Sequence, residues 1–332
     1  MKISSIVDIV DGELLNSPSI SFINGIKTDP KKVKISDLFI AKNKEDLEIA
    51  VQNGAYAIIF EDNIDVFDNE IAFIKVKNLY LAIIKLIRFK LSSLRLEAYF
   101  CKDESFDMIK LYQNYHTKPI FLIPKNIEKI FKFIDDIKDE DIIISKNYEL
   151  LNSIYPNNKI FEKDIESSKL TNLTKHSLFE LSFSYENSYF SRLKLSSLYL
   201  NSFLNIFNFF DRQIDISKLK LYSNFKAIFI DKNFEPIEFG KSDSFIICQN
   251  NLNLIEEEIN YLKKEFKYAK TIFITKDYIN NLKRAEQIVI ENINELRNIL
   301  KKSSFNCAYI IGFNHKEIFE YLQKSQNTNT LF

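Results

Sequence analysis

Two short stretches decide the expected fold: Ser36-Asp37-Leu38-Phe39-Ile40-Ala41 and Gly54-Ala55-Tyr56-Ala57-Ile58. Asp37–Ala41 and Tyr56–Phe60 are apolar runs typical of buried strands. Glu45–Asn53, which lies between them, carries its apolar residues on one helical face and is followed by a glycine stop. A strand, a helix and a strand within about 25 residues form a βαβ unit, and such a unit favours a parallel sheet.

The same alternation continues along the chain in both directions. Further strands are predicted from apolar runs at 72–76, 119–123, 141–145, 225–230, 245–248, 271–275 and 308–311, and helices from 3.6-residue periodicity at 79–91, 126–137, 197–210, 254–266, 278–290, 292–301 and 316–324. Residues 178–195 alternate polar and apolar and predict a hairpin that turns at Glu186-Asn187-Ser188. The polar tail, Ser325 to Thr330, is expected to fray.

Composition excludes several classes of protein. The chain has 332 residues with 45 Lys+Arg and 45 Asp+Glu, so it lacks the cationic surplus of a typical nucleic-acid binder. No run of 18 apolar residues occurs, and the N-terminus lacks the uninterrupted apolar stretch of a signal peptide. The odd, widely spaced Cys101, Cys248 and Cys307 argue against a disulfide framework or a zinc site. A cytoplasmic protein without membrane insertion is therefore expected.

The opening of the chain resembles the N-terminal domain of the Mur ligase family, in particular the enzymes that join D-alanyl-D-alanine to UDP-N-acetylmuramoyl-tripeptide. The resemblance runs from Thr28-Asp29-Pro30 through Ser36–Ala41 to Gly54–Ile58, with Ser36 where the family has glycine and lysine where it has arginine. Leu193–Asn205 is similar to the family's strand-turn-helix, and Tyr309–Lys316 to the strand-turn that closes its C-terminal domain. The chain is shorter than such a ligase, and the loss falls in the centre.

The centre lacks the family's phosphate-binding loop. That loop supplies backbone N–H groups of glycines to the nucleotide phosphates and a lysine to the terminal ones. The corresponding place here is about Arg95 to Lys110, and no glycine occurs between Gly54 and Gly240. Asp103 and Glu104 would repel phosphate. The single GK[ST] triplet, Gly240-Lys241-Ser242, precedes a strand rather than a helix, which favours a hairpin turn over an ATP site.

Other polar groups have structural interpretations. His116, His176 and His315 lie in no catalytic motif, so surface or helix-start roles are favoured. The acidic cluster Asp135, Asp136, Asp139, Glu140 and Asp141 could hold Mg²⁺ but is more typical of a solvated loop. Glu256–Glu258 before Lys263-Lys264 suits the dipole of one helix.

Large apolar residues are dense near the junction at residue 216. Phe203, Phe207, Phe209 and Phe210 recur at helical spacing, which favours core packing over a partner-binding face. Together with Leu221 they predict a fixed apolar contact between the central part and residues 216–332.

The sequence predicts an α/β fold of Mur ligase-like, three-part architecture. Residues 1–90 form the N-terminal domain of the UDP-precursor-binding type, 91–215 a reduced central domain, and 216–332 a Rossmann-like domain. The resemblance implies a UDP-binding cleft near Thr28, Asp29, Ser36 and Asp37. No catalytic residue, metal or cofactor is expected.

The favoured function is a Mur ligase-like protein without ATP-dependent ligation, which binds a UDP-muramyl precursor or a cell-wall synthesis partner and no nucleic acid. Two alternatives stay open. One is an active ligase with a non-standard nucleotide site, and the other is a purely structural interaction protein.

Overall fold

The fold is that of a computed structural model, which describes residues 1–280, 282 and 286–324. The α-helices are α1 (Ile3–Val10), α2 (Glu45–Gln52), α3 (Leu79–Ser92), α4 (Asp103–Tyr112), α5 (Tyr148–Ile154), α6 (Leu200–Phe209), α7 (Leu252–Glu265), α8 (Leu296–Lys302) and α9 (His315–Gln323). The strands are β1 (Glu13–Leu14), β2 (Ile26–Lys27), β3 (Asp37–Ile40), β4 (Ala55–Phe60), β5 (Ala72–Lys75), β6 (Glu97–Phe100), β7 (Ile120–Leu122), β8 (Ile142–Ser145), β9 (Asn158–Ile160), β10 (Leu170–Ser177), β11 (Glu180–Tyr185), β12 (Ser188–Leu193), β13 (Ala227–Phe229), β14 (Phe245–Gln249), β15 (Thr271–Thr275), β16 (Gln287–Val289) and β17 (Cys307–Ile311).

Two compact units make up the described chain. The first unit contains residues 1–101 and 116–161, and the second contains residues 102–115 and everything described from Glu162 onward. This division by compactness assigns parts of the predicted central domain, 91–215, to both units. The predicted domains 1–90, 91–215 and 216–332 follow the architecture of the family, and a division by compactness does not test them. They stay a prediction.

The first unit begins with a sheet of strand order β1-β5-β4-β3-β2. Strands β2 to β5 are parallel to their neighbours and β1 is an antiparallel edge. The βαβ prediction is thus confirmed, with β3 and β4 buried on both faces as parallel strands usually are. Gly54 closes α2 with φ of +96°, a left-handed conformation that a Cβ would strain.

A second sheet in the first unit has the order β7-β8-β6-β9, with every pair parallel. Its residues share one core with the first sheet of the unit. The helix predicted at 126–137 is wrong. Two 3₁₀ turns, Ile127–Lys132 and Ile134–Asp136, replace it, because Phe133 between them has φ of −139° and leaves the helical region.

The second unit contains a three-stranded antiparallel sheet, β10-β11-β12. The predicted hairpin is confirmed, and Glu186 takes φ of +48° at its turn, but β10 was not predicted. The rings of Phe203 and Phe207 on α6 pack against Phe190 of β12 at 5.4 and 5.2 Å. This confirms that the phenylalanine run of α6 is core.

The remaining sheet of the second unit has the order β13-β14-β17-β15-β16 and is parallel apart from the antiparallel edge β13. It is the predicted Rossmann-like pattern. The predicted helix at 278–290 is wrong at its end, where the strand β16 lies. Residues 281 and 283–285 of that range lie outside the described residues, as does the predicted tail at 325–330. No helix that the structure describes is long and apolar enough to cross a membrane.

An apolar contact joins the antiparallel sheet to the Rossmann-like sheet within the second unit. The Phe179 ring lies 5.7 Å from Phe225, 6.0 Å from Phe229 and 5.1 Å from Phe245. The contact was predicted, but its residues were not. The phenylalanines of α6 pack on the antiparallel sheet instead, and Leu221 is 61% exposed.

Candidate functional site

The four predicted ligand residues of the first unit lie in two places. Thr28 and Asp29 follow β2, whose Lys27 is opposite Phe39 near the carboxyl end of β3. Ser36 and Asp37 stand where β3 begins. No hydrogen bond or ion pair joins one pair to the other in the part of the chain that the structure describes. The structure therefore does not bring the four residues together.

Asp37 holds the backbone around the start of β3. Its buried carboxylate accepts hydrogen bonds from the N–H groups of Gly25, at 3.1 Å, and Lys34, at 2.9 Å. Beside it, Ser36 adopts φ of +71° and accepts a hydrogen bond of 2.6 Å from the Asn24 side chain. Both oxygens of Asp37 are used internally, so this residue shapes the loop rather than facing a ligand.

A small cleft of about 200 Å³ lies at the carboxyl edge of the same sheet. Lys42, Asn43 and Lys44 enter it after β3, and Glu61 and Asp62 after β4. Ligands of open parallel sheets bind outside this edge. Glu61 accepts a hydrogen bond of 2.9 Å from the N–H of Leu79 at the start of α3, and Lys42 pairs with Glu128 at 2.6 Å.

Lys44 is the exposed cation of this cleft that forms no ion pair within the described chain. Thr28 and Asp29 follow β2 at the same carboxyl edge, since β2 is parallel to β3. A lysine, a hydroxyl and an amide at one sheet edge can bind an anionic group such as a phosphate. Sequence reasoning missed Lys42–Lys44, although their place directly after a predicted parallel strand was a usable signal.

The position that corresponds to the phosphate-binding loop is a short link between a strand and a helix. Strand β6 ends at Phe100 and α4 begins at Asp103, so only Cys101 and Lys102 join them. The backbone N–H of Lys102 donates a hydrogen bond of 2.8 Å to the Glu162 carboxylate. A two-residue link without glycine cannot form the backbone cradle of a phosphate loop.

Carboxylates surround this end of α4 within the second unit. Asp103 accepts a hydrogen bond of 2.9 Å from the Asn253 side chain, and Glu104 is buried. Burial raises the pKa of Glu104, and the nearby Glu257 and Glu162 raise it further while Lys102 opposes them. The electrostatics favour cations over phosphate here, yet no group of three His, Cys, Asp or Glu residues in the described ranges could hold a metal ion.

Asn205 fixes the segment that carries Glu162. Its side-chain oxygen accepts a hydrogen bond of 2.9 Å from the N–H of Lys163, and its Nδ2 donates to the carbonyls of Lys163, at 3.1 Å, and Asn201, at 2.9 Å. Asn205 is buried on α6. The asparagine that carried part of the family resemblance is thus fully engaged with backbone.

A buried carboxylate, Glu258 on α7, is the polar centre of the second unit. It accepts hydrogen bonds from the hydroxyls of Tyr199 and Tyr309, and from Gln249 Nε2 at 2.8 Å. Burial raises the pKa of Glu258 to about 7, against the lowering effect of these three donors. The sequence interpretation of Glu256–Glu258 as a helix-dipole feature missed this role, although Glu258 shares a helix face with Leu254 and Leu262.

The remaining candidates from the sequence are one glycine-containing triplet and three histidines. The Gly240–Ser242 triplet lies in the connection between the antiparallel strands β13 and β14, and no helix follows it. His116 Nδ1 lies 3.0 Å from the N–H of Lys118, and His176 Nε2 lies 2.7 Å from Ser182 Oγ. His315 starts α9, where burial lowers its pKa to about 4.

The acidic cluster after β7 is tied to its own unit. Asp135 pairs with Lys90, and Asp139 accepts a hydrogen bond of 3.0 Å from the N–H of Arg95. Asp141 is buried and accepts one of 2.7 Å from the N–H of Lys138.

Comparison with solved structures identifies the architecture. UDP-N-acetylmuramoylalanyl-D-glutamyl-2,6-diaminopimelate–D-alanyl-D-alanyl ligase from Acinetobacter baumannii superposes with a TM-score of 0.54 at 11% identity, covering 99% of this chain and 98% of that chain. A second structure of MurF from Acinetobacter baumannii gives 0.55 at 10% identity, with 97% and 98% covered. MurF ligase from Thermotoga maritima in complex with ADP gives 0.53 at 14% identity, with 91% and 98% covered.

Sequence comparison gives no corresponding match. No protein family model matches the chain, and no curated protein is significantly similar to it. The similarity is therefore one of three-dimensional arrangement, and it spans nearly the whole chain. The protein has the Mur ligase-like α/β fold.

Proposed function

We propose that this chain is a Mur ligase-like protein without ATP-dependent ligase activity, which binds a UDP-muramyl precursor or a partner of the cell-wall machinery. The hydrogen bond from Lys102 N–H to Glu162 carries the proposal. It places a carboxylate of the chain itself against the backbone amide that precedes α4, where a nucleotide-binding ligase needs free amides for phosphate.

Loss of the phosphate loop accounts for the composition of the centre. The described link has two residues, its helix opens with the two acids Asp103 and Glu104, and the nearby Glu162 adds a third carboxylate. Each of these features disfavours a polyphosphate by Coulomb repulsion. A centre reduced in this way has no place for a nucleotide cofactor at the start of α4, and we propose that the chain uses no cofactor there.

The precursor would bind through the first unit. In this proposal Thr28 and Lys44 contact its anionic end at the carboxyl edge of the sheet. Asp29 acts indirectly by holding the turn after β2, where it accepts a hydrogen bond from the N–H of Lys31, and Ser36 and Asp37 act indirectly by holding the loop before β3. A sheet with parallel strands β2–β5 presents that edge as a ready ligand surface. A cytoplasmic location is part of the proposal, since such precursors would meet the protein there.

The ligation half is tested by phosphate release. The full chain is incubated with ATP, Mg²⁺, UDP-muramyl-tripeptide and D-alanyl-D-alanine, beside an active ligase as positive control. We expect no release above the enzyme-free rate. Stoichiometric phosphate that requires both substrates would establish the alternative, an active ligase with a non-standard nucleotide site.

The binding half is tested by calorimetry with UDP-N-acetylmuramic acid. We expect binding that weakens at least about 5-fold in Lys44→Ala and in Thr28→Ala, because each removes a partner of an anionic group. Lys159→Ala, on the edge strand β9 of the other sheet, is the matched control. The highest ligand concentration is about 1 mM, on the order of a weak Kd. No heat of binding at that concentration would favour the purely structural interaction protein.

A further inference from the structure

A larger cleft lies entirely within the second unit and has no role in the proposed function. Its volume is about 1090 Å³, which suits a ligand of nucleotide size. Three elements line it: the β10–β12 sheet, the connection from β13 to β14, and the carboxyl end of α7 with the residues after it.

Most charges of the cleft neutralise one another. Glu180 is buried and pairs with Arg192 at 2.9 Å and Lys194 at 2.5 Å. Burial would raise the pKa of Glu180, but these two cations outweigh it and the pKa is lowered, so the carboxylate stays charged. Lys175 pairs with Glu265 at 3.0 Å.

Two lysines supply the excess positive charge. Lys241 and Lys267 line the cleft, and neither forms an ion pair within the described residues. Asp243 is the acidic lining residue outside the pairs described above, so five lysines and arginines face three acids. The cleft therefore has a net positive potential, and low-dielectric walls strengthen it.

Aromatic rings lie beside these lysines. Tyr268 is 94% exposed and has Lys267 Nζ 5.1 Å from its ring centroid. Phe239 is 43% exposed, and Lys194 Nζ lies 3.7 Å from its centroid. Exposed rings of this kind offer a stacking face to a planar base.

We infer that this cleft binds a nucleoside phosphate, with its base stacked on Tyr268 or Phe239 and its phosphates paired with Lys241 and Lys267. The recognition uses side-chain cations on a hairpin and after a helix, and it needs no glycine loop. It is independent of the precursor site in the first unit.

The test is calorimetry of the full chain with ADP, in the absence of Mg²⁺, beside adenosine and inorganic pyrophosphate. We expect ADP to bind more tightly than either fragment. Lys241→Ala/Lys267→Ala should weaken ADP binding at least about 10-fold, because two charge-assisted contacts are lost. Tyr268→Ala should weaken ADP binding several-fold and leave pyrophosphate binding unchanged.

Lys232→Ala is the control, since Lys232 is an exposed lysine of the same unit outside the cleft. Equal ADP affinity in wild type and the double variant would overturn the inference and place any nucleotide elsewhere. Pyrophosphate binding as tight as ADP binding would overturn the assignment to a nucleoside. Loss of precursor binding in Lys44→Ala has no bearing on either outcome.

Discussion

The Glu162 carboxylate accepts a hydrogen bond of 2.8 Å from the backbone N–H of Lys102, 60 positions earlier in the chain. The amide stands immediately before α4, at the positive end of the helix dipole, where an anion is stabilised. An internal carboxylate on this amide competes with any external phosphate. It satisfies this backbone amide without a ligand.

Replacing Glu162 by alanine should lower the free energy of unfolding by about 1 kcal/mol, the usual cost of a lost cap or charge-assisted hydrogen bond. Glu162→Gln keeps an acceptor oxygen and should cost less. Urea unfolding of the full chain measures both. Glu166→Ala is the control, since Glu166 is exposed and pairs with the partly exposed Lys169. Equal losses in Glu162→Ala and Glu166→Ala would show that the hydrogen bond adds nothing.

Replacing Asn205 by alanine should lower the free energy of unfolding by about 2 kcal/mol, because the variant loses the two hydrogen bonds that the buried Asn205 amide forms with the N–H and C=O groups of Lys163. Asn201→Ala is the control on the same helix, where the asparagine side chain is exposed. The denaturant midpoints of Asn205→Ala and Asn201→Ala measure the two losses of stability. A midpoint for Asn205→Ala within error of that for Asn201→Ala would contradict the structural role given to this residue.

Glu258 should make the protein less stable as the pH rises. Below its usual pKa of 4.5 the carboxyl is protonated in both the folded and the unfolded chain. Between 4.5 and about 7 the folded chain binds one more proton than the unfolded chain, so the free energy of unfolding falls with increasing pH. At 1.36 kcal/mol per unit the total loss is about 3 kcal/mol, and it is complete above pH 7.

Urea unfolding at pH 5 and pH 8 tests this effect. The stability difference between the two pH values should shrink in Glu258→Gln, which cannot ionise, and stay the same in Glu256→Gln, whose site is exposed on the same helix. Glu104 titrates in both variants as in wild type, so its contribution cancels in the comparison. An unchanged pH dependence in Glu258→Gln would show that Glu258 does not titrate in this range.

Gly54→Ala should destabilise the protein more than Gly240→Ala. Both glycines have positive φ, at +96° and +74°, so each variant pays the left-handed penalty of about 1 kcal/mol. A Cβ on Gly54 would also lie 2.9 Å from the Ile35 side chain and 3.0 Å from its Cα, whereas one on Gly240 meets nothing within 4 Å. Thermal unfolding of both variants would rank them, and the reverse order would refute this explanation.

The sequence by itself determined the local elements of this protein. The βαβ unit of β3, α2 and β4, the hairpin of β11 and β12, and the Rossmann-like pattern after residue 216 follow from apolar periodicity and turn residues, which act over a few positions. The absence of glycine between Gly54 and Gly240 is also read directly from the sequence, and it predicts that this range has no phosphate loop. These features depend on backbone conformation, which neighbouring residues decide.

Only the tertiary structure decided which polar groups meet. It brought the Glu162 carboxylate to the N–H of Lys102 and the Asn205 amide to the backbone of Lys163. It also buried Glu258, which accepts hydrogen bonds from two tyrosines and a glutamine. It also set Thr28 and Ser36, eight positions apart, at opposite ends of the parallel pair β2 and β3, because Thr28 follows the carboxyl end of β2 and Ser36 precedes the amino end of β3. Contacts between distant residues depend on how sheets and helices pack, and no local pattern specifies that packing.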